Sequence, residues 1–180
     1  MVNVRNCLIA ALIVTLPLKV LATEIQIGIG LTQNNIQSDT ENELVDRGTE
    51  NGSSEAISFA VRNQYKEKHL LGAGIDYSNI NGDRYLGIRA IDYQYVILEH
   101  TRVGAFIGAA SINSGLPQNG YYLGFHVTQT NIFNFFDAGI ELRYGSGLAR
   151  DRLLSTDPQG EKPDMFLDIT SLGILLSKRF

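Results

Sequence analysis

From Glu24 to Thr32 the apolar residues Ile25, Ile27, Ile29 and Leu31 occupy odd positions, while Glu24, Gln26, Gly28, Gly30 and Thr32 fill the even ones. A β-strand sends successive side chains to opposite faces, so such a segment is apolar on one face and polar or bare on the other. The same period of two recurs through Ile57, Phe59, Val61 and Tyr65, then Leu71, Ala73, Ile75 and Tyr77, then Leu86, Ile88 and Ala90. It returns at Val103, Ala105, Ile107 and Ala109, at Tyr121, Leu123, Phe125 and Val127, and at Phe136, Ala138, Ile140, Leu142 and Tyr144. Leu172, Ile174, Leu176 and Phe180 carry the last instance. The pattern predicts eight strands. After Ala90 the aromatic residues shift to odd positions at Tyr93 and Tyr95, which predicts a bulge in the fourth strand.

The intervals alternate in length. Long connections are expected at 32–55, 79–83, 113–119 and 146–164, and short turns at Lys66–Lys68, Glu99–His100 and Asn131. Long loops at one end and tight turns at the other are a feature of transmembrane barrels. Asn81-Gly82 suits a hairpin turn that needs positive φ.

Alternation alone does not separate a soluble barrel from a membrane one, because both have one apolar face. Glycine separates them. Gly28, Gly30, Gly72, Gly74, Gly87, Gly104, Gly108, Gly124, Gly139 and Gly173 all fall on the face opposite the apolar one. A solvent-facing surface has no need of bare backbone, whereas the interior of an eight-stranded barrel is only just wide enough for side chains. The apolar face therefore meets lipid. Tyr65, Tyr77, Tyr121 and Tyr144, near strand ends, fit aromatic girdles at the two interfaces.

Composition then needs one correction. The chain has 180 residues with 44% hydrophobic and 19% charged, and a mean hydropathy of -0.03. Residues 1–22 read as a secretory signal peptide: Arg5, an apolar run from Cys7 to Leu16, Pro17, and Val20-Leu21-Ala22 with cleavage after Ala22. Ten apolar residues are too few to span about 30 Å of hydrocarbon. The domain is then 23–180. Removing Arg5 and Lys19 leaves 13 basic against 19 acidic residues, and removing Cys7 leaves no cysteine. A disulfide framework and a cysteine zinc cluster are excluded. No basic stripe points to nucleic acid, and no spacing points to a cofactor or metal.

The C-terminus carries a resemblance. Leu172-Gly173-Ile174-Leu175-Leu176-Ser177-Lys178-Arg179-Phe180, with Ile174, Leu176 and the terminal Phe180, resembles the assembly signal of bacterial outer-membrane β-barrel proteins. Lys178 departs from it, since an aromatic or apolar residue is usual there. In size the chain is similar to the small eight-stranded group that includes the OmpA transmembrane domain, OmpX and OmpW. The resemblance implies an eight-stranded antiparallel up-and-down transmembrane barrel in the outer membrane of a Gram-negative bacterium. It also implies recognition of the last strand by the outer-membrane insertion machinery; lipid and lipopolysaccharide are the expected surroundings, and a monomer is expected.

Candidate chemistry is sparse. The inward face carries Glu24, Arg62, Asp76, Arg89, His126, Asp137, Glu141, Arg143 and Arg179, which should pair across strands into a polar plug, because unpaired charge in a narrow lumen is costly. His126, Thr128 and Glu141 are an alternative, since outer-membrane lipid A deacylases use a His, a hydroxyl residue and a carboxylate. Thr in place of Ser departs from that set, and the alternation points His126 and Thr128 away from lipid. His69 and His100 fall at near-side turns, where solvation is expected. The first loop holds Asp39, Glu41, Glu43, Asp46, Glu50 and Glu55 against Arg47 alone. It reads as a solvated loop, or as a site of divalent-cation bridging to lipopolysaccharide or of display toward a partner. The expected function is non-enzymatic: a barrel anchoring exposed loops for envelope integrity or surface interaction. A lipid-modifying enzyme and a narrow small-solute transporter are the alternatives.

Overall fold

The computed structural model describes residues 23–40, 48–113, 117–132, 134–150 and 165–180. The expected leader and its cleavage position Ala22 lie outside the described residues, as do Glu41, Glu43, Asp46, Arg47 and 151–164.

Eight strands follow in chain order: β1 (Thr23–Thr40), β2 (Thr49–Lys66), β3 (His69–Ile80), β4 (Asp83–Leu98), β5 (Thr101–Asn113), β6 (Pro117–Ile132), β7 (Phe136–Arg150) and β8 (Met165–Arg179). Each pairs antiparallel with its sequence neighbours, and β1 closes on β8 from Gln26↔Arg179 to Thr40↔Met165. Closure leaves no unpaired edge within the barrel wall, which is the condition for a sheet to cross lipid.

Side-chain polarity is inverted relative to a soluble barrel. Leu31 and Ile174 are each 69% exposed and Tyr121 76%, while Asp76 and Asp92 are fully buried. Ile25, Ile27, Ile29, Ile57, Ile75, Ile88, Ile107, Phe125, Ile140 and Leu172 continue the outward apolar belt. The glycines sit inside, as their positions predicted. A Cβ on Gly108 would lie 1.7 Å from the Ile88 carbonyl oxygen, and one on Gly124 2.3 Å from the Phe106 ring. The strands approach too closely there for any side chain.

The predicted bulge is present. The β4–β5 register shifts between Arg89 and Ile91, and the β3–β4 register between Gly72 and Gly74. Ala90 and Ile91 both face outward, which turns Asp92 and Gln94 into the lumen. The β3–β4 connection is the two-residue Asn81-Gly82 turn, with φ of 54° and 96°.

Three connections are shorter than the sequence pattern suggested. β1 continues to Thr40 and β2 begins at Thr49, so most of the expected 32–55 loop is a strand pair. Likewise β6 begins at Pro117 and β7 runs to Arg150. The reason is visible in the first hairpin. Gln33, Asn35 and Gln37 on β1 oppose Ser53, Asn51 and Thr49 on β2, so the outward face is polar and the apolar alternation that marks a lipid-spanning strand stops at Leu31. Backbone pairing outlasts the hydrophobic signal. Gln33 accepts from Ser53 at 2.9 Å, and Asn35 donates to Asn51 at 2.9 Å.

Candidate functional site: a two-layer plug in the lumen

The interior is filled in two layers. Toward the chain termini it is ionic; toward the far end it is largely apolar.

In the ionic layer, Arg62, Arg89, Arg102, Arg143 and Arg179 meet Glu24, Asp76, Asp92, Asp137 and Glu141. Arg62 Nη2 lies 2.6 Å from Asp92 Oδ2. Arg89 donates from Nε and Nη2 to the two oxygens of Asp76 at 2.6 Å and 2.7 Å, and from Nη2 to Glu141 at 2.8 Å. Arg143 donates to Glu141, and the Tyr122 hydroxyl donates to Asp76 at 2.9 Å. Nearer the mouth, Arg102 binds Glu24 at 2.8 Å and Arg179 binds Asp137. Five guanidinium groups against five carboxylates leave the layer formally neutral, as burial requires. Bidentate guanidinium–carboxylate contacts satisfy several donors at once and hold geometry as well as charge.

The structure brings together every inward residue the alternation named: Glu24, Arg62, Asp76, Arg89, His126, Asp137, Glu141, Arg143 and Arg179. It adds three the pattern missed. Asp92 and Gln94 were hidden by the bulge, which reverses parity along β4. Arg102 shares the parity of the inward Gly104, a signal that was present but lay one residue before the apolar run.

The apolar layer was not anticipated. Ile80, Tyr85, Phe106, Ala110, Ile112, Tyr122, Leu148, Leu167 and Ile169 form a buried cluster at the far end of the lumen. Thr32, Asn34 and Ser54 complete its β1–β2 side, with Thr32 Oγ1 2.7 Å from Ser54 Oγ and Asn34 donating to Ser54 at 2.9 Å. The two layers interlock where the Arg89 guanidinium stacks 4.1 Å from the Phe106 ring centroid. Leu148 reaches the lumen through an irregularity in β7: the β7–β8 register shifts between Gly145 and Leu148, and Gly147 takes φ +61°.

His126, Thr128 and Glu141 do converge, around a small cavity of about 30 Å³ also lined by Gln26, Ser58, Arg62 and Ser177. They form no relay. His126 Nδ1 stands 3.8 Å from Glu141 Oε2, beyond hydrogen-bond reach, and Nε2 is 3.0 Å from the Gln94 amide. With the Gln94 oxygen directed inward, it accepts from His126 at 3.0 Å and from Arg62 at 3.2 Å. All three residues are buried on the lumen side, with the wall of the barrel between them and lipid. The cavity accommodates water, not an acyl chain.

A wider recess of about 550 Å³ opens at the terminal mouth, lined by Glu24, Gln64, Arg102, Asn131 and Arg179 among others. It ends on the ionic layer. Outside the wall at this end, His69 is not merely solvated. It packs between Tyr65, Tyr93 and Tyr95 at centroid distances of 5.5, 6.0 and 5.0 Å, with Nδ1 2.7 Å from the Tyr93 hydroxyl. His100 lies in the β4–β5 turn, as expected. Among the described residues no group of three or more His, Cys, Asp or Glu is placed to hold a metal.

No family model matches the sequence, and no curated protein matches it. The solved structures do show similar barrels. Ail, the attachment invasion locus protein of Yersinia pestis, in a crystal structure with the heparin analogue sucrose octasulfate, is 12% identical. The match covers 89% of this chain and 100% of that one, with a TM-score of 0.54. Neisserial surface protein A is also 12% identical, over 86% of this chain and 97% of that one, at a TM-score of 0.49. OprG from Pseudomonas aeruginosa is 8% identical, over 88% and 96%, at 0.48. The closed eight-stranded antiparallel order, the outward apolar belt and the likeness to Ail agree: this chain has the fold of the small bacterial outer-membrane β-barrels.

Proposed function

We propose that this protein is a non-enzymatic outer-membrane anchor, whose barrel holds its far-end hairpins in solvent for envelope integrity or contact with other molecules. The observation that carries this reading is the double seal of the lumen. An ionic layer and an apolar layer lie in series in the lumen, which argues against passage of a solute and for function at the outer surfaces. The burial of His126, Thr128 and Glu141 behind the wall argues against lipid chemistry, since a nucleophile needs access to substrate. The terminal run Ile174, Leu176 and Phe180 is the segment proposed to be read by the insertion machinery. Phe180 is 65% exposed and still bonded to β1, its N–H donating to the Ile25 carbonyl at 2.9 Å. Lipid and lipopolysaccharide are the proposed surroundings of the belt.

Ail was crystallised with a polysulfated ligand, but that ligand class does not transfer. At the far end of this chain the described strand residues include Glu50 and Glu55 as well as Arg84, a mixed surface and not a basic one.

The test is expression of the full chain in a Gram-negative host, with lipid A profiles compared in its presence and absence. The reading predicts heat-modifiable migration from the outer-membrane fraction and unchanged lipid A. A change in acyl-chain number that disappears in His126→Ala would overturn it in favour of the enzyme.

A further inference from the structure

Arg102 reaches across the lumen from β5 to Glu24 on β1, strands on opposite sides of the closed order. The contact is end-on, with Nη1 at 2.9 Å and 2.8 Å from the two Glu24 oxygens. Nε and Nη2 have no partner among the described residues. The other arginines of the ionic layer differ. Arg89 commits both of those nitrogens to Asp76, and Arg179 commits both to Asp137. Arg143 gives Nε to Glu141, and Arg62 gives Nη2 to Asp92.

The Nε–Nη2 edge of a guanidinium is the fork that holds a planar carboxylate by two parallel hydrogen bonds. On Arg102 that fork is open. The side chain is only 14% exposed, and it lines the recess of about 550 Å³ at the terminal mouth. A guanidinium so far withdrawn from bulk water, with two free donors, forgoes hydrogen bonds that a ligand can restore. Charge in the recess is formally balanced, Arg102 and Arg179 against Glu24 and Glu67, and Leu70, Val96 and Phe180 give it an apolar side.

We propose that this recess is a binding site for a small monocarboxylate with a compact apolar body. The ligand's two oxygens accept from Arg102 Nε and Nη2, and its body packs against Leu70, Val96 and Phe180. One open fork suits one carboxylate. A phosphate dianion brings two charges to the same guanidinium, whose other end already holds Glu24 at 2.8 Å, and is disfavoured. The recess ends on the ionic layer, so the ligand is held at the mouth and not passed through the barrel. Such a site adds a role at the end opposite the far-end hairpins and does not depend on what those hairpins meet.

The full chain, isotope-labelled at arginine and folded in nanodiscs, is titrated at neutral pH with benzoate, benzamide and phenyl phosphate while the arginine Nε–H resonances are followed. Benzoate should bind saturably and shift the Arg102 resonance. Benzamide lacks the charge and the second acceptor and should bind at least about tenfold more weakly. Phenyl phosphate should also bind more weakly than benzoate. Arg102→Lys keeps the charge but removes the fork, and should weaken benzoate at least about tenfold. Val96→Phe fills the recess, leaves the Arg102–Glu24 pair in place and should weaken benzoate as well. Heat-modifiable migration shows which variants are folded, and Val96→Phe decides if Arg102→Lys is not. Absence of benzoate binding, a shift confined to other arginines, benzamide or phenyl phosphate binding as tightly as benzoate, or unchanged affinity in either folded variant would overturn the proposal.

Discussion

Arg89 on β4 and Glu141 on β7 face each other across the lumen, with Arg89 Nη2 at 2.8 Å and 3.0 Å from the two carboxylate oxygens. Their strands are three apart in the closed order, so this contact is a brace across the barrel and not a neighbour pair. Arg89 also holds Asp76. Replacing it with Met leaves two buried carboxylates short of a partner and should cost about 3–5 kcal/mol. Glu141→Gln keeps a hydrogen-bonding group and should cost less, about 1–3 kcal/mol. Equilibrium urea unfolding in lipid vesicles gives both values; equal stability of Arg89→Met and wild type would contradict the brace.

Close approach of strands predicts a second asymmetry. Gly108→Ala drives a Cβ toward the Ile88 carbonyl, which is backbone and cannot rotate away. A loss of about 1–3 kcal/mol is expected, of the size seen for overpacking. Its neighbour Ala109 faces outward, and Ala109→Val should be tolerated. Heat-modifiable migration after refolding distinguishes the two variants.

The β7 irregularity depends on one carboxylate. Asp168 accepts from the Tyr144 hydroxyl at 2.9 Å and from the Gly147 N–H at 2.8 Å. Asp168→Ala should release the Gly147 amide to fast hydrogen exchange and cost about 1–3 kcal/mol, while the ionic layer keeps its protection. Exchange measured residue by residue checks this. Unchanged protection at Gly147 would show that the bulge is held by other contacts.

A sealed lumen predicts electrical silence. In planar bilayers the wild-type chain should give no conductance steps above background, because an eight-stranded interior is filled by its own side chains. Regular steps would mean that the Ile112, Leu148 and Ile169 layer opens.

Most of the architecture was legible because lipid imposes a strict rule: one face apolar, the other not. Ile25 to Leu31 and Leu172 to Leu176 show that rule directly, and the inward network followed from parity alone. Where the rule is relaxed, the reading weakened. Thr49–Glu55 is strand without an apolar face, so it resembled a loop. Asp92 and Gln94 lay past a bulge that reverses parity. Leu167 and Ile169 are apolar yet inward, and their place follows only from sharing parity with Ser171. The convergence of His126, Thr128 and Glu141 was legible as adjacency, but their distances and burial were not.

The apolar faces of the strands meet lipid and the polar faces fill the lumen. Spin labels on single cysteines at Leu172, Ile174 and Leu176, and at Ser171 and Ser177, test it in bilayers by collision with oxygen, which concentrates in the hydrocarbon. High oxygen accessibility is expected at the first three positions and low at the two serines, alternating along β8. Higher accessibility at Ser171 and Ser177, or a chain that stays in solution without detergent, would contradict it.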